Sequence, residues 1–326
     1  MIQRILDEEG VPQELIHLAQ AESGFIPRAV SSKAAGGMWQ FVVSRGQQYG
    51  LMQTRYTDDR MDPEKATRAA AHHLRDLYSE FGDWYLALAA YNCGPGTVEK
   101  AVERTGYADF WELRRRGMLP AETTNYVPII LAMTIMEKNA AEYGLQGIQL
   151  DSPLEYDTVE ILAPTSLALV ADITETPLSE LAALNPAVLR SIAPDKYSLH
   201  VPKGTGNQLA ASLLLIPAEH RDSWRTHRVA AGETLAAVGK LFGTTPNVIM
   251  AANNLHAPET LEGDRLLIPL ALRAEAPART VVSRTPIRRT ATVARRGQGK
   301  TTSAKPVATA NPSRKSPVIV ARSAAH

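Results

Sequence analysis

The chain has 326 residues, more than one ordinary domain needs, so two or more domains are expected. Hydrophobic residues make up 44% of it and charged residues 21%, which is typical of a globular protein with a sizeable core. The net charge is +1, and basic residues are concentrated after Arg273, so the body of the chain is not expected to bind nucleic acid. The single cysteine, Cys93, excludes an intrachain disulfide.

The sequence predicts no transmembrane helix, no signal peptide and no metal or cofactor site. No apolar run reaches the length of a transmembrane helix. No signal peptide is visible at the N-terminus, which instead begins inside a predicted helix and suggests a truncated chain or a late start. His72 and His73 have no other His, Cys or carboxylate at ligand spacing, so neither a metal nor a cofactor is expected.

The first 150 residues are predicted to be almost entirely helical. The predicted helices span 2–9, 12–23, 62–81, 84–91, 97–104, 108–116 and 121–140. In the second helix, Glu22 lies seven residues after Leu15, on the face that also carries Leu18. Glu22 is therefore an acidic residue on an apolar face, and Gly24 is predicted to end its helix.

Two short segments combine small, aromatic and amide residues. In residues 31–41, two adjacent glycines permit a tight turn or the close approach of a ligand. Taken alone, this segment also fits a simple loop that enters a buried aromatic pair. The Gly-Pro-Gly sequence at 94–96 predicts a rigid turn that places Tyr91 and Asn92 at a helix end.

After Pro153 the pattern changes to a repeat. A strand at 156–161, two short helices and a strand at 197–201 are predicted, and the same order recurs from 227 to 268. An offset of 68 residues matches Leu235 with Leu167, Leu241 with Ile173 and Asn253 with Asn185. From about residue 271 the composition predicts disorder. The predicted domains are 1–150, 151–217, 218–271 and a basic tail over 272–326.

Four motifs stand in the order found in one family of enzymes. They are Glu22-Ser23-Gly24-Phe25, residues 37–41, residues 90–96 and residues 122–127. Over about residues 1–270, the chain resembles the lytic transglycosylases that carry LysM modules. The second repeat resembles a LysM module, whereas the first is divergent and has Pro186 after its asparagine. The resemblance implies a mainly α fold, in which a lysozyme-like helical catalytic domain precedes two small strand-helix-helix-strand modules.

The resemblance assigns the chemistry to one carboxyl group. Glu22 corresponds to the family's sole catalytic acid, which is expected to need a raised pKa so that it starts protonated. It would protonate the glycosidic oxygen between N-acetylmuramic acid and N-acetylglucosamine, and then accept the proton of the muramic C6 hydroxyl as a 1,6-anhydro ring closes. The implied substrate-binding residues are Ser31, Met38, Gln40, Tyr91, Asn92 and Tyr126, the last of which would lie near Glu22 and orient it.

The implied partner is peptidoglycan, and the protein is expected to act as a monomer. Its location in the periplasm or cell envelope is inferred from that substrate alone. Two other functions remain open: a muramidase that hydrolyses the same bond, and a non-catalytic protein that binds or organises glycan. Taken singly, Glu22 also fits a surface or capping residue, Tyr91 and Tyr126 fit core aromatics, and Asn253 fits a helix terminator.

Overall fold

The computed structural model describes residues 1–149 and 152–270. The tail that the sequence predicts over 272–326 lies outside these described residues. Within the described residues, no helix has both the length and the apolar character needed to cross a membrane.

Residues 1–149 form a helical domain, as predicted. Its α-helices are α1 (Ile2–Glu8), α2 (Ile16–Ser23), α3 (Val43–Gln48), α4 (Pro63–Phe81), α5 (Trp84–Cys93), α6 (Pro95–Thr105), α7 (Phe110–Arg115) and α8 (Ala121–Lys138). Short 3-10 helices span Gln13–Leu15 and Asp59–Met61. Helix α3 follows the glycine-containing loop and has no counterpart among the predicted helices, because six residues are too few for a clear helical period.

Helix α4 begins and ends where local chemistry requires. The Asp62 carboxylate caps its N-terminus by accepting hydrogen bonds from the N–H groups of Glu64 and Lys65, each at 3.0 Å. Gly82 ends the helix with a φ of 66°, a left-handed conformation that glycine adopts without steric cost. Both ends agree with the prediction for residues 62–81.

The core of the helical domain lies between α2, α4, α5 and α8. Its apolar side chains include Leu18 from α2, Leu74 from α4 and Leu86 from α5, all fully buried. Trp39 is also fully buried, and its indole N–H donates to Thr67 Oγ1 at 3.0 Å. The loop 31–41 is therefore anchored to the core by Trp39.

Two small α+β modules follow. The first contains β1 (Tyr156–Ile161), β2 (Thr165–Ser166), α9 (Leu167–Thr174), α10 (Leu178–Leu184), β3 (Ile192–Ala193), β4 (Tyr197–Pro202) and α11 (Gly206–Leu214). The second contains β5 (Arg225–Arg228), α12 (Leu235–Phe242), α13 (Pro246–Ala252) and β6 (Arg265–Ile268), and a 3-10 turn at Ala218–His220 precedes it.

The outer strands of each module pair antiparallel. Strand β1 pairs with β4, with Tyr156 opposite Pro202, and β5 pairs with β6, with Arg225 opposite Ile268. The short β2–β3 pair and helix α11 are additions to the predicted strand-helix-helix-strand order. A two-residue strand carries no alternation that a sequence pattern could reveal.

The two modules share the packing of one asparagine. Asn253 donates its side-chain amide to the carbonyls of Ile249 and Leu267, each at 2.7 Å, and accepts the N–H of Leu267 at 2.7 Å. Asn185 makes the same three bonds in the first module. Each asparagine thus joins the second helix to the last strand. The match of Leu241 with Ile173 is not reflected in burial, because Leu241 is 65% exposed and Ile173 is fully buried.

Candidate active site

The Glu22 carboxyl group stands in the last turn of α2. The apolar face of that helix buries Leu18 and Ala19 completely, and Gly24 ends the helix at a φ of 62°. Because Glu22 follows Leu18 by one helical turn, its side chain leaves the core at the edge of the domain and is only partly buried. The helix therefore presents a carboxyl group from an apolar surface into a cleft.

Tyr126 of α8 holds that carboxyl group. Its hydroxyl donates a hydrogen bond to Glu22 Oε1 at 2.6 Å, across 104 residues of sequence. Burial is the main influence on the pKa of Glu22 and raises it, since a charged carboxylate is poorly solvated there. The Tyr126 hydrogen bond opposes this effect, while the nearby negative charge of Glu122 adds to it. The balance leaves the pKa of Glu22 above its ordinary value.

A cleft of about 660 Å³ runs past Glu22. It brings together five of the residues that the sequence singled out: Glu22, Ser31, Gln40, Tyr91 and Asn92. Met38 and Tyr126 are not among the lining residues, and they are only 5% and 9% exposed. Tyr126 contacts the site through its hydroxyl, which donates to Glu22, while its ring stays buried. The Met38 side chain packs in the core, and its contact with substrate stays a prediction.

The loop 31–41 forms one wall of this cleft and needs glycine at one position. Gly37 has a φ of 83°, and a Cβ atom there would lie 1.7 Å from the carbonyl oxygen of Arg60. Within the loop, Ser31 Oγ accepts the N–H of Ala35 at 3.1 Å, and Gln40 Nε2 donates to Gly37 O at 2.8 Å. These bonds leave the Gln40 side-chain oxygen available as an acceptor in the cleft.

Asn92 and Tyr91 form the opposite wall at the end of α5. The Oδ1 atom of Asn92 accepts the hydroxyl of Thr123 at 2.7 Å, whereas its Nδ2 atom has no hydrogen-bond partner within residues 1–149 and 152–270. The Tyr91 hydroxyl donates to Trp39 O at 2.8 Å, which fixes the ring over the loop 31–41. Asn92 therefore presents a free N–H₂ donor, and Tyr91 presents a fixed aromatic ring.

The ring of His73 packs against the ring of Tyr91. Its ring centroid lies 5.2 Å from that of Tyr91, and its Nδ1 atom lies 3.0 Å from the hydroxyl of Tyr49. The Tyr49 hydroxyl donates to Asp76 at 2.9 Å, so His73 Nδ1 carries the proton of the His73–Tyr49 bond. Burial lowers the pKa of His73 to about 4, and the positive charge of Arg45 contributes to this. His73 is therefore a buried packing residue beside Tyr91.

Comparison with known proteins identifies the domains. The model of the transglycosylase SLT domain matches residues 1–114. The model of the lytic transglycosylase MltD LysM-like domain matches residues 155–230, and that of the LysM domain matches residues 227–269. The chain belongs to the lytic transglycosylases that carry LysM domains.

Individual relatives agree with this assignment. The chain is 34% identical over 278 residues to membrane-bound lytic murein transglycosylase D of Escherichia coli, a match that covers 80% of this chain and 61% of that protein. The chain thus spans about three fifths of the length of that relative. Peptidoglycan transglycosylase gp16 of Escherichia phage T7 is 36% identical over 121 residues, which cover 36% of this chain and 9% of that protein.

Part of the chain is also similar to a solved structure. The lytic transglycosylase Slt of Pseudomonas aeruginosa is 24% identical, with a TM-score of 0.37, over 43% of this chain and 24% of that chain.

Within this transglycosylase domain, the cleft contains charged residues to which the sequence analysis gave no role. Glu122 lines it from α8, and Lys33 and Arg45 line it from the opposite wall. Glu122 precedes Tyr126 by four residues, so both share one face of α8. That spacing is the signal in the sequence that could have identified Glu122. No comparable spacing in the sequence would have identified Lys33 or Arg45 as cleft residues.

Neither a metal site nor a nucleophilic cysteine is evident at the cleft. In the described parts of the chain, no group of three or more His, Cys, Asp or Glu side chains could hold a metal ion. Cys93 lines the cleft, but burial raises the pKa of its thiol, which disfavours the reactive thiolate. Among the ionisable side chains that line the cleft, the Glu22 carboxyl is the one that the Tyr126 hydroxyl holds by a hydrogen bond.

Proposed function

We propose that this chain is a peptidoglycan lytic transglycosylase that cleaves the β-1,4 bond between N-acetylmuramic acid and N-acetylglucosamine without water. The observation that carries the proposal is the Glu22 carboxyl, partly buried in the cleft wall and held by Tyr126 at 2.6 Å. A carboxyl group in this setting is suited to act first as an acid and then as a base.

The proposed reaction balances with Glu22 alone. The protonated carboxyl gives its proton to the glycosidic oxygen, the bond from that oxygen to the muramic C1 breaks, and N-acetylglucosamine leaves as the alcohol. The positive charge at C1 is stabilised by the substrate's own N-acetyl group. The Glu22 carboxylate then removes the proton of the C6 hydroxyl while its oxygen bonds to C1, which closes the 1,6-anhydro ring and restores the acid.

The environment of Glu22 supports its first role. An acid that starts a reaction near neutral pH needs a pKa above that of an ordinary carboxyl. Burial raises the pKa of Glu22, and the Glu122 carboxylate in the same cleft raises it further. Tyr126 favours the carboxylate and so supports the second role, in which Glu22 accepts a proton.

The cleft walls support recognition of acetamido sugars. We assign the free N–H₂ of Asn92 to an N-acetyl carbonyl and the free oxygen of Gln40 to a sugar N–H or hydroxyl donor. Ser31 adds a hydroxyl beside Gln40, and Tyr91 offers an aromatic ring for packing against a sugar. These groups line the same cleft as Glu22, so a glycan strand lying along the cleft would meet them.

The LysM domain extends the proposal beyond the cleft. We propose that it binds the same glycan strands and raises the local concentration of substrate at the catalytic domain. We propose that the protein acts in the periplasm or cell envelope, where murein lies; an E. coli relative is named as membrane-bound.

One observation favours a second candidate, a hydrolytic muramidase. Hydrolases of related bonds use two carboxyl groups, the second as nucleophile or as the base that activates water. Glu122 is a second carboxylate lining the same cleft. The two functions therefore differ in whether Glu122 and water take part in the chemistry.

Product analysis separates the candidates. Purified sacculi are digested in ¹⁸O-labelled water by the parent chain, Glu22→Gln and Glu122→Gln, and the products are examined by mass spectrometry. A lytic transglycosylase releases 1,6-anhydromuramic ends without ¹⁸O, and Glu22→Gln slows this by about 10²–10⁴-fold, whereas Glu122→Gln remains active. Reducing ends that carry ¹⁸O, together with loss of activity in Glu122→Gln, indicate a muramidase. Binding to sacculi without any cleavage by the parent chain indicates a binding protein.

A further inference from the structure

The two LysM-type modules use the loop after their second helix differently. In the second module, Asn254 and His256 are exposed, and Asn253 and Leu255 are partly buried. In the first module, residues 185–188 at the matching position are all buried, with Ala187 only 1% exposed. Since Asn185 and Asn253 make the same three hydrogen bonds, the modules have the same local fold there. Val188 packs in the apolar core of its own module, whereas Ala187 lies outside that core, so its burial indicates a second surface that covers the loop.

The covering surface is the transglycosylase domain. Segment 56–58 of that domain runs antiparallel to segment 187–189, with Thr57 bridged to Val188. Two main-chain hydrogen bonds cross the contact, from Asp58 N–H to Ala187 O at 3.0 Å and from Leu189 N–H to Tyr56 O at 2.8 Å. The loop is therefore docked by β-type pairing, which specifies its register as well as its position.

Side chains add to this docking. Arg28 follows α2 and donates from its guanidinium to Pro186 O at 2.9 Å and to Val188 O at 2.8 Å. These two bonds satisfy carbonyl groups that the loop itself leaves unpaired. The helix that carries Glu22 and the first module are thus joined within six residues of the catalytic carboxyl.

The docked segment is also connected to the cleft wall. The Asp58 carboxylate pairs with the guanidinium of Arg60 at 2.8 Å, and both side chains are only 8% exposed. The other end of the Arg60 guanidinium donates to Ala34 O at 2.8 Å and to Phe41 O at 2.9 Å. These carbonyls belong to the loop 31–41, which lines the cleft. One buried ion pair therefore spans the distance between the module and the loop.

We propose that the first LysM-type module is a fixed part of the catalytic unit. Its docked loop 185–189 positions, through Asp58 and Arg60, the loop 31–41 that carries Ser31 and Gln40. The module therefore does not offer this loop to glycan, and the matching loop of the second module remains open for binding. What the loop 31–41 binds is taken from the proposed function, so the positioning role rests on that function. The docking of the loop 185–189 does not.

The test uses the full chain and amide hydrogen exchange. Ala187 lies outside the apolar cluster of the first module, so Ala187→Glu forces a charge into the contact while leaving that core intact. We expect exchange at Asp58 and Leu189 to speed up by at least about tenfold, together with exchange at Gly36 and Phe41 of the cleft loop. The amides that pair β1 with β4 keep their protection.

Three further variants make the test decisive. Ala257→Glu introduces the same charge into the exposed loop of the second module and is expected to leave all these amides unchanged. Arg28→Ala removes two donors from an exposed side chain without touching a core, and Arg28→Lys restores part of the protection. If Ala187→Glu also opens the β1–β4 pairing, the docking is judged from the two Arg28 variants. Exchange at Asp58 and Leu189 must then be faster in Arg28→Ala than in Arg28→Lys.

The KM and kcat of Ala187→Glu test the same connection between the docked loop and the cleft loop. Because the loop 31–41 contacts substrate and does not transfer protons, Ala187→Glu should raise KM for glycan fragments about tenfold and change kcat less. Unchanged exchange at Gly36 and Phe41, when Asp58 and Leu189 lose protection, refutes the positioning role. Unchanged exchange at Asp58 and Leu189 in Ala187→Glu refutes the docking. Both exchange results are obtained whether or not the parent chain cleaves peptidoglycan, so they are independent of the proposed function.

Discussion

Replacing Tyr126 with phenylalanine removes one hydroxyl group and leaves the buried ring in place. In the parent chain this hydroxyl donates to Glu22 Oε1 at 2.6 Å and stabilises the charged carboxylate. Without it, the protonated form of Glu22 becomes relatively more stable, so the pKa of Glu22 rises beyond the increase that burial already causes. The variant isolates one of the opposing influences on that pKa.

The size of the effect follows from the kind of bond. A hydrogen bond to a charged group contributes about 1.5–3 kcal/mol, and water in the cleft can replace part of this when the hydroxyl is lost. We therefore expect a change just below this range, about 1.4 kcal/mol, which changes the ratio of protonated to charged Glu22 about tenfold. On the alkaline side of the pH profile, the variant should keep about ten times more of its own maximal rate than the parent keeps.

The maximal rate and the stability should change as well. Tyr126 also fixes the direction of the carboxyl group, so maximal kcat should fall by about tenfold or more. The raised pKa of Glu22 stabilises the folded protein below the ordinary pKa of a glutamate, and that stabilisation is lost as the pH rises through the folded-state pKa. Since Tyr126→Phe raises that pKa further, the variant should lose more stability than the parent over the same rise in pH.

The assay measures release of anhydromuropeptides from purified sacculi by liquid chromatography and mass spectrometry across a pH series. Tyr91→Phe is the matched control, because the Tyr91 hydroxyl donates to Trp39 O and not to the carboxyl. Tyr91→Phe should change the rate without moving the alkaline limb of the pH–rate profile to higher pH. An alkaline limb of Tyr126→Phe that stays in place or moves to lower pH would refute the reasoning about this hydrogen bond.

Two further predictions concern stability. Gly37→Ala should lower the free energy of unfolding by about 3 kcal/mol in urea titrations, because a positive φ and a clash with Arg60 O combine. Gly50→Ala has a similar φ of 82° but open space around it, so it should cost only about 1 kcal/mol. Equal losses in the two variants would show that the clash does not matter. Asn253→Ala should destabilise the second module by about 1–3 kcal/mol, seen as faster amide exchange in β5 and β6. Unchanged exchange there would contradict the structural role of this asparagine.

Local sequence signals determined much of the fold. Asp62 and Gly82 marked both ends of α4 correctly, because capping depends on side chains within a few residues of each other. The repeat after Pro153 was also visible, since Asn185 and Asn253 stand at matching positions for the same packing reason. Elements such as β2 and β3 were missed because tertiary contacts, and not a local period, hold them in place.

The candidate site was only partly readable for the same reason. The order of four motifs pointed to Glu22 and to most of the lining residues, but Met38 proved to be buried beside the cleft and not in its wall. The presence of Glu122 in the cleft required α8 to pack beside α2. A sequence pattern records which residues occur together in a family, and it does not record which way each side chain faces.

By itself, the sequence determined the family, the helical and modular order of the chain, and the acidic residue at the end of an apolar helix. The tertiary structure alone decided how that residue is held, because the Tyr126 hydroxyl reaches Glu22 across 104 residues. It also decided that the loop 185–189 of the first module is docked while the matching loop of the second is open. Such contacts join segments far apart in the chain, and no local propensity or spacing specifies them.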